Sequence, residues 1–596
     1  MRPSRWLSAA GVFGLVLILV MLVTWAAGVY TLTLCISSSA LCALYLVLSA
    51  GEGRSGLRGE SICALTLLAL VLLSAVPMPT SSMAPTLRSS QNQTAVQAVT
   101  VAVNSSLAKS APTWIASTRN RAGTHRYLLM LISAVAAAAL VRRLPIRHRE
   151  FLLHALVVLA ALVAVLGFHS QHTYPQGDYL WWVMKVRHGI ETVGGFVNRN
   201  HFAGYVGMFA PVALVLLTSA CRRRRWEWGV LHAICFVVIG FAVAASKSRG
   251  ALLACGIGTG ITLLLIVARR RPGAAVLGVL LVAGIAGTIK VVPLPEVKER
   301  LASFTRLPET LSARLRVSTW KDAVGMVADY PVVGVGANGF RMVFPQYRTA
   351  STRKSFYHAE NEYIQIPVEL GLTGTALIIG MLAFSVRTWR DGIRGGHVSP
   401  ETGLAVAGAA MVVGAHAAVD FALRTPVYTI TCGCLWGMVL AVPGRDQDPL
   451  SGAVPSSVRR LVLAALPACL GIVYAANAAL EHRVIDRMDS STFIERAKAQ
   501  ALVEALTWSP TSWAIWYHLG RQACVVGTPG SNQLCTKWIT QSAQYNPNDY
   551  RVWMNLADQL EKNDGDVPAA RDAMTRARAL RPYGLAHRWY EDPPQP

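Results

Sequence analysis

The stretch His358-Ala-Glu-Asn-Glu-Tyr-Ile-Gln-Ile-Pro-Val-Glu-Leu-Gly-Leu372 joins a polar segment to a long apolar run. The polar segment, residues 294–365, is richer in Lys and Arg than in Asp and Glu, and the apolar run continues to residue 386. About 20 apolar residues are enough for a helix to cross the hydrocarbon core of a bilayer. This junction therefore predicts a cationic segment held at the surface of a membrane.

The whole composition is that of a polytopic membrane protein. Of the 596 residues, 53% are hydrophobic and only 15% are charged, and the mean hydropathy is +0.39, which excludes a soluble chain of this length. We predict an all-α protein of about thirteen transmembrane helices. The apolar runs lie near 7–27, 29–50, 61–79, 126–141, 150–168, 201–220, 228–245, 250–268, 273–292, 366–386, 403–422, 426–443 and 461–479.

The positions of arginine predict the orientation. Arginines collect on every second loop, as at Arg222–Arg225, and short cytoplasmic loops are the ones that retain Lys and Arg. The N-terminus is then cytoplasmic and the C-terminus extracytoplasmic. The net charge of +24 follows from this topology, so it does not indicate a nucleic-acid partner.

The chain divides into six regions by composition. We predict N-terminal transmembrane helices, an exported loop, a transmembrane core, an exported catalytic loop, C-terminal transmembrane helices and an exported helical-repeat domain, at residues 1–79, 80–125, 126–293, 294–365, 366–479 and 480–596. In the last region Ser509-Pro, Asn546-Pro and Arg581-Pro recur at intervals of 37 and 35 residues, which resembles tetratricopeptide-type hairpins. Cys524 and Cys535 lie there too, either as a disulfide or as two separate thiols.

Several arginines lie on the predicted outer side of the membrane. The tendency of cytoplasmic loops to retain Lys and Arg does not account for them. They include Arg187, Arg199, Arg249, Arg314 and Arg316. Ionisable groups at a span boundary are costly and usually functional, and a guanidinium can bind a phosphate through two hydrogen bonds. The structural alternative for Arg314 and Arg316 is an arginine that snorkels to the interface.

The exported catalytic loop contains two local patterns. Residues 312–330 have helical periodicity, with Leu315, Trp320, Val324 and Val327 on one apolar side, which predicts a helix at the interface or over a cavity. Gly334-Val-Gly-Ala-Asn-Gly339 has the spacing of a dinucleotide-binding loop, but an amphipathic helix precedes it instead of a buried strand. We therefore predict a tight glycine turn.

A polar stripe follows this turn. His358, Asn361, Glu362, Gln365 and Glu369 share one face if the whole stretch is helical. Glu369 then lies among apolar residues and needs either an arginine or a proton as its partner. His358 is a candidate general base, with a capping or structural role as the alternative. A metal site starting at His358 and Glu360 is disfavoured, because no second histidine stands at ligand spacing.

With these residues in place, the chain resembles the O-antigen ligase and polymerase family of membrane glycosyltransferases. The resemblance covers roughly residues 190–440. It rests on several patches in the order of the family: Gly195-Phe-Val-Asn-Arg-Asn-His-Phe-Ala-Gly204, Ser246-Lys-Ser-Arg-Gly-Ala251, Arg316 to Trp320, Pro331 to Phe340, His358 to Gly371, and His416 to Phe421.

The resemblance implies a GT-C-like fold and a metal-independent, inverting transfer of a glycan from undecaprenyl diphosphate, without a cofactor. Arg249 and either Arg314 or Arg316 would bind the diphosphate, and His358 would activate the acceptor hydroxyl. The full set of expected site residues comprises catalytic His358 and Glu369, and substrate-binding Arg249, Arg314, Arg316, Arg187, Asn198, Asn200, Asn361 and Asp420.

The expected location is the bacterial cytoplasmic membrane, and the expected partners are the lipid-linked donor, a glycan or lipid acceptor, and chain-length or export proteins that contact the tail. Two alternatives stay open. One is an oligosaccharyltransferase of the same family that modifies a protein, and the other is a non-catalytic transporter of the lipid-linked glycan. A base is needed only by the transferases.

Overall fold

The computed structural model describes the central part of the chain and most of the end of the tail. The described residues are 12–20, 40–41, 77–79, 114–116, 121–173, 179–180, 184–185, 192–268, 311–349, 356–440, 516–518, 520–521, 524, 529–546, 549–564 and 566–580. Arg187 lies outside these residues, as do the predicted spans 273–292 and 461–479 and most of the first three predicted spans.

The described residues are almost entirely helical, which confirms the predicted fold class. The helices are α1 Arg121–Arg143, α2 Ile146–Thr173, α3 Arg199–Gly207, α4 Ala210–Arg222, α5 Trp226–Ala245, α6 Arg249–Ala268, α7 Leu311–Asp329, α8 Phe340–Val343, α9 Glu362–Arg394, α10 Pro400–Ala417, α11 Pro426–Val439, α12 Pro529–Tyr545, α13 Tyr550–Asp564 and α14 Val567–Leu580. Single 3-10 turns cover Phe344–Gln346 and Ala422–Arg424.

Extended structure is limited, within the described residues, to two short antiparallel pairs. Strand β1, Pro77–Pro79, pairs with β2, Trp114–Ala116, so that Met78 lies opposite Ile115. Strand β3, Tyr179–Leu180, pairs with β4, Met184–Lys185. Neither pair forms part of the helical core.

Five segments within the described residues are long and apolar enough to cross a membrane. They are Ile146–Thr173, Arg199–Arg222, Trp226–Ala245, Arg249–Ala268 and Glu362–Arg394, and each coincides with a predicted span. Pro426–Val439 is a shorter apolar helix. The total of thirteen spans stays a prediction.

The helix pair α3 and α4 forms the centre of the bundle. Its side chains are buried along its length, and α4 begins with Ala210 and Pro211 after a two-residue break in the helix. Aromatic residues fill the space around it: Phe196, Phe202 and Phe209 are buried, and Tyr205 packs against Phe209. The outer helices instead expose apolar side chains such as Leu264 and Ile379, as expected of surfaces that face lipid.

Helices joined by short turns run in opposite directions, apart from α3 and α4, which together form one span, so the connecting turns gather at two ends. Arg222 at the end of α4 binds Glu401 at the start of α10 through Nη2 and Oε1, 2.5 Å apart. His201 at the start of α3 lies 3.1 Å from Asp420, just after α10 ends. We call the first the arginine end, formed by residues 142–149, 222–225, 387–401 and 438–440, and the second the site end, formed by residues 196–201, 246–250, 356–362 and 418–425.

Helix α7 is where it was predicted, but its buried side differs from the prediction. Thr319, Ala323 and Met326 are buried, and Val327 packs beside them. Val324, predicted on the apolar side, is 60% exposed. The two valines stand three positions apart, and a rotation of less than one residue spacing about the helix axis decides which one faces the cluster around Phe340 and Phe344.

Helix α9 is broken within the membrane-length segment. Gly371 has φ 65° and ψ −173°, so the two halves of the helix are not continuous. The turn at residues 331–336 supplies the missing hydrogen bonds: Val335 and Gly336 donate to the carbonyls of Val368 and Glu369, and Leu372 donates to Pro331. The predicted glycine turn is present, since Gly334 and Gly336 have φ 69° and 89°.

The described part of the tail is a set of packed helices. Helices α12, α13 and α14 pack around Ile539, Val552, Leu556 and Met574. The disulfide between Cys524 and Cys535 is present, with a Cα–Cα distance of 5.0 Å, which confirms that alternative of the sequence analysis. The classification of this region as tetratricopeptide repeats stays a prediction.

Candidate active site

His358 lies in the loop that precedes α9, not in the helix. Asn361 is the N-cap of α9, and its side chain accepts hydrogen bonds from the backbone of Tyr363 and Ile364. The predicted stripe therefore has to be corrected: a capping asparagine favours non-helical backbone at its own position, so helical phase begins at Glu362. The loop nevertheless brings His358 against the stripe, because Nε2 of Gln365 lies 2.9 Å from Nδ1 of His358.

The imidazole of His358 is held between a helix and an aromatic ring. Phe421 stacks on it with ring centroids 4.3 Å apart, and the same phenyl ring is perpendicular to the ring of His201. Burial lowers the pKa of His358 well below its usual value; the charges of Arg424 and Arg341 add to this effect, and the carboxylate of Asp420 opposes it. The ring is therefore neutral at pH 7.

Glu369 has the arginine partner that the sequence analysis required. Its Oε2 lies 2.5 Å from Nη1 of Arg424 and accepts the backbone N–H of Asn338 at 2.8 Å. Its Oε1 accepts from Gln365 at 2.9 Å and from the backbone of Phe340 at 3.4 Å. Both carboxylate oxygens are engaged, so Glu369 fixes the glycine turn, α9 and the turn before α11 to one another.

Arg424 is the site-end residue that sequence reasoning missed. It lies in the 3-10 turn Ala422–Arg424, its side chain is buried, and Nε and Nη2 bind Glu362 at 3.1 and 3.2 Å. Its guanidinium also lies over the ring of Tyr127, 4.7 Å from the centroid. The signal in the sequence was an arginine between two apolar runs on the predicted outer side, the same criterion that selected Arg249.

The structure separates the two arginines of α7. Nε of Arg316 binds Oε2 of Glu360 at 2.5 Å, two residues after His358, and Nε1 of Trp320 donates to the carbonyl of Ala359 at 2.8 Å. Arg314 lies on the exposed side of the helix. Arg316 is thus the one of the pair that adjoins the His358 loop.

Asp420 is buried between two histidines. Its Oδ1 lies 3.1 Å from Nε2 of His201 and accepts the backbone N–H of Phe421 at 2.6 Å, and its Oδ2 lies 3.8 Å from Nε2 of His416. Nδ1 of His201 lies 3.0 Å from the hydroxyl of Thr425. Asp420 therefore supports the wall behind Phe421, on which His358 stacks.

The remaining predicted residues adjoin the same wall. Asn198 is the N-cap of α3 and accepts the backbone N–H of Asn200 at 2.8 Å, so both begin the helix that carries His201. Arg249 begins α6, after a tight turn in which Lys247 has φ 61°. The next residue, Gly250, packs on Val419, which leaves no room for a Cβ there. Arg249 thus lies beside the segment that carries Asp420.

A comparison with known families matches residues 234–379 to a family described as O-antigen ligase. The chain carries an O-antigen ligase domain. This confirms the predicted resemblance to the O-antigen ligase and polymerase family over the matched residues. No curated protein matches the chain.

The O-antigen ligase domain supplies only part of the site. Arg249, Arg316, His358 and Glu369 fall inside the matched residues. The segment that includes Asn198 and His201 precedes the match, and the segment from His416 to Arg424 follows it. Because those flanking segments form the wall behind Phe421 and the counterion of Glu369, the site is complete only with them.

Proposed function

We propose that the chain is a glycosyltransferase that moves an oligosaccharide from undecaprenyl diphosphate to an acceptor hydroxyl on the extracytoplasmic face of the bacterial cytoplasmic membrane. One observation carries this proposal: Arg249, Arg316 and a neutral His358, far apart in sequence, all lie at the site end of an O-antigen ligase family bundle. Guanidinium groups suit a diphosphate, and no nucleotide is required because the lipid diphosphate is itself the leaving group.

The transfer reaction requires a site that stabilises negative charge on the departing diphosphate. The acceptor oxygen forms a new bond to the anomeric carbon while the bond from that carbon to the diphosphate breaks, and the bonding pair leaves with the phosphate oxygen. Fixed cations lower the energy of this growing negative charge. In this proposal Arg249 and Arg316 bind the diphosphate and His358 contacts the reacting groups, whereas Glu369 and Asp420 position the elements that carry them.

The helices of the tail would lie on the same side of the membrane. A disulfide between Cys524 and Cys535 fits an oxidising compartment. Packed helical hairpins generally bind partners and seldom catalyse reactions, so we assign to the tail the binding of an acceptor chain or of a chain-length or export protein. This orientation puts the arginine end in the cytoplasm.

The test is a reaction of the purified protein with undecaprenyl-diphosphate oligosaccharide, with product size read by gel or mass spectrometry. A ladder identifies a polymerase, one discrete adduct on a glycan or lipid identifies a ligase, and transfer to an added polypeptide identifies the protein-modifying alternative. An intact donor with every acceptor contradicts the transferase and favours the transporter.

The variant His358→Ala tests the role of His358 in the same assay. We expect it to fold and to leave the lipid-linked donor unconsumed, with transfer reduced about a hundredfold or more because one preorganised group at the reacting centre is lost. His397→Ala is the control, since His397 is exposed in the turn at the arginine end. Wild-type transfer by the His358 variant would remove His358 from the reacting centre.

A further inference from the structure

The carboxamide of Gln365 has only one orientation that its neighbours allow. Its Oε1 accepts the backbone N–H of Ala359 at 2.8 Å, and its Nε2 lies 2.9 Å from Oε1 of Glu369. An amide oxygen only accepts hydrogen bonds and an amide nitrogen only donates them. Exchanging the two would set the oxygen against the carboxylate of Glu369 and the NH2 group against the N–H of Ala359.

This orientation determines the tautomer of His358. The second hydrogen on Nε2 of Gln365 points to a neighbour at 2.9 Å, Nδ1 of His358, so Nδ1 must accept. The proton of a neutral imidazole is then on its Nε2. A doubly protonated ring would set two N–H groups against each other, which agrees with the lowered pKa of His358.

The basic nitrogen of His358, Nδ1, faces the buried carboxamide of Gln365. Gln365 is fully buried, so an acceptor hydroxyl cannot reach Nδ1 without displacing it from the core. Phe421 covers one face of the ring. Nε2 of His358, in contrast, makes no hydrogen bond within the part of the chain that the structure describes, which leaves its N–H for a bound molecule.

We propose that Gln365 is a positioning residue that keeps the ring proton of His358 on Nε2, so that His358 donates a hydrogen bond to the departing diphosphate and does not take the acceptor's proton. This rests on the transferase function proposed above. In the step, the anomeric carbon exchanges its bond to the phosphate oxygen for one to the acceptor oxygen. The bonding pair leaves on the phosphate, and the acceptor's proton ends on the released diphosphate. His358 begins and ends the step neutral.

A neutral imidazole is a suitable donor for such a charge, and low pKa values are one way that enzymes keep it neutral. A donor aimed at developing negative charge is typically worth a factor of 10²–10³ in rate. Glu369 contributes indirectly, because it holds the carboxamide of Gln365, which in turn holds the ring.

The first test replaces His358 with a residue that donates but is not basic. His358→Gln carries an N–H donor at the end of a side chain of similar reach, whereas His358→Ala carries none. We expect His358→Gln to transfer within about tenfold of the wild-type rate and His358→Ala to lose about 10²–10³. Equal losses in both variants would show that basicity is required and would overturn the proposal.

The second test reverses the tautomer. Gln365→Glu puts a carboxylate beside Nδ1, which then becomes the protonated nitrogen and leaves Nε2 without a hydrogen. We expect at least about a hundredfold loss of transfer, whereas His397→Glu, which adds a carboxylate at an exposed position of the arginine end, transfers normally. Transfer by Gln365→Glu at or above the wild-type rate would mean that a base at Nε2 had been exposed.

A spectroscopic measurement reads the tautomer without substrate. In protein labelled with 15N-histidine, the His358 resonances are identified as those lost in His358→Gln, and we expect an unprotonated Nδ1 and a protonated Nε2. A protonated Nδ1 would overturn the proposal, and this measurement also decides the matter if Gln365→Glu does not fold. If the wild-type protein transfers nothing, the proposed function fails while the tautomer is still measured.

Discussion

Two carboxylates and one guanidinium share the buried space beneath His358. Arg424 binds Glu362 and Glu369 together, so two carboxylates share one guanidinium. Backbone N–H groups of Asn338 and Phe340 and the carboxamide of Gln365 donate to Glu369 and stabilise its charge. The network therefore depends on the glycine turn being docked.

Arg424→Ala is expected to destabilise the protein strongly. Removing one partner of a buried ion pair leaves uncompensated charge and costs about 3–5 kcal/mol. Thermal or denaturant unfolding of the purified variant measures the loss. Arg387→Ala is the control on α9, because the Arg387 and Asp391 side chains are 77% and 53% exposed and such pairs contribute about 0–1 kcal/mol. Similar stability of the two variants would contradict a buried network.

The pair Arg314 and Arg316 offers a matched test of the diphosphate site. Arg316→Lys keeps the charge but loses the planar donor set, so we expect transfer to fall by about tenfold to a hundredfold. Arg314→Lys makes the same change on the exposed side of α7 and should transfer within about twofold of wild type. The reverse ranking in kcat/KM would assign the diphosphate to Arg314.

At the scale of elements, the break in α9 joins the turn at residues 331–336 to this membrane-length helix. A continuous helix would close its own hydrogen bonds past residue 371, and the turn at 331–336 would then have no partners in α9. The break frees the carbonyls of Val368 and Glu369 for that turn. The break thereby holds Glu369 at a position along α9 from which its side chain reaches Arg424.

Gly371→Ala tests this element. The backbone conformation at Gly371 belongs to a region that costs other residues about 1–3 kcal/mol, and a Cβ there would overlap the carbonyl of Val332. We expect lower thermal stability and loss of transfer. Gly380→Ala lies on the same helix with nothing within 4 Å of the new Cβ, so it should be neutral or gain about 0.5–1 kcal/mol. Equal thermal stability and equal transfer in the two variants would contradict the proposed role of the break at Gly371.

At the scale of the whole molecule, two groups of arginines lie at opposite ends of the bundle. Arg149 binds the carbonyls of Met438 and His397 at 3.2 and 2.9 Å, and Arg222 binds Glu401, so these arginines join the turns of the arginine end. Arg316 and Arg424 pair with carboxylates at the site end. The proposed orientation requires that the two ends face opposite sides of the membrane.

Cysteine labelling with a membrane-impermeant reagent tests that requirement. We expect Tyr357→Cys, at an exposed position beside His358, to react in intact cells with the cytoplasm closed. Arg224→Cys, in the turn between α4 and α5, should react only after the membrane is permeabilised. Both variants are compared in a background whose other free cysteines are replaced. Labelling of both from one side would contradict a bundle that spans the membrane between them.

Sequence alone determined what depends on composition and local periodicity. The class of protein, the presence of the five membrane-length segments and the helix predicted at residues 312–330 follow from apolar length and helical period, which the solvent and the bilayer impose on any chain. The outer arginines stood out because an uncompensated charge near hydrocarbon is costly. The tight turn at Gly334 followed from the glycine spacing.

Only the tertiary structure decided how these pieces meet. The start of α9 at Glu362, the buried side of α7 and the pairing of Glu369 with Arg424 depend on small rotations and on contacts across 55 positions of sequence, which periodicity does not encode. The tautomer of His358 depends on a carboxamide whose orientation is fixed by Ala359 and Glu369 together. Such choices are collective, because each partner has a defined geometry only when the others are in place.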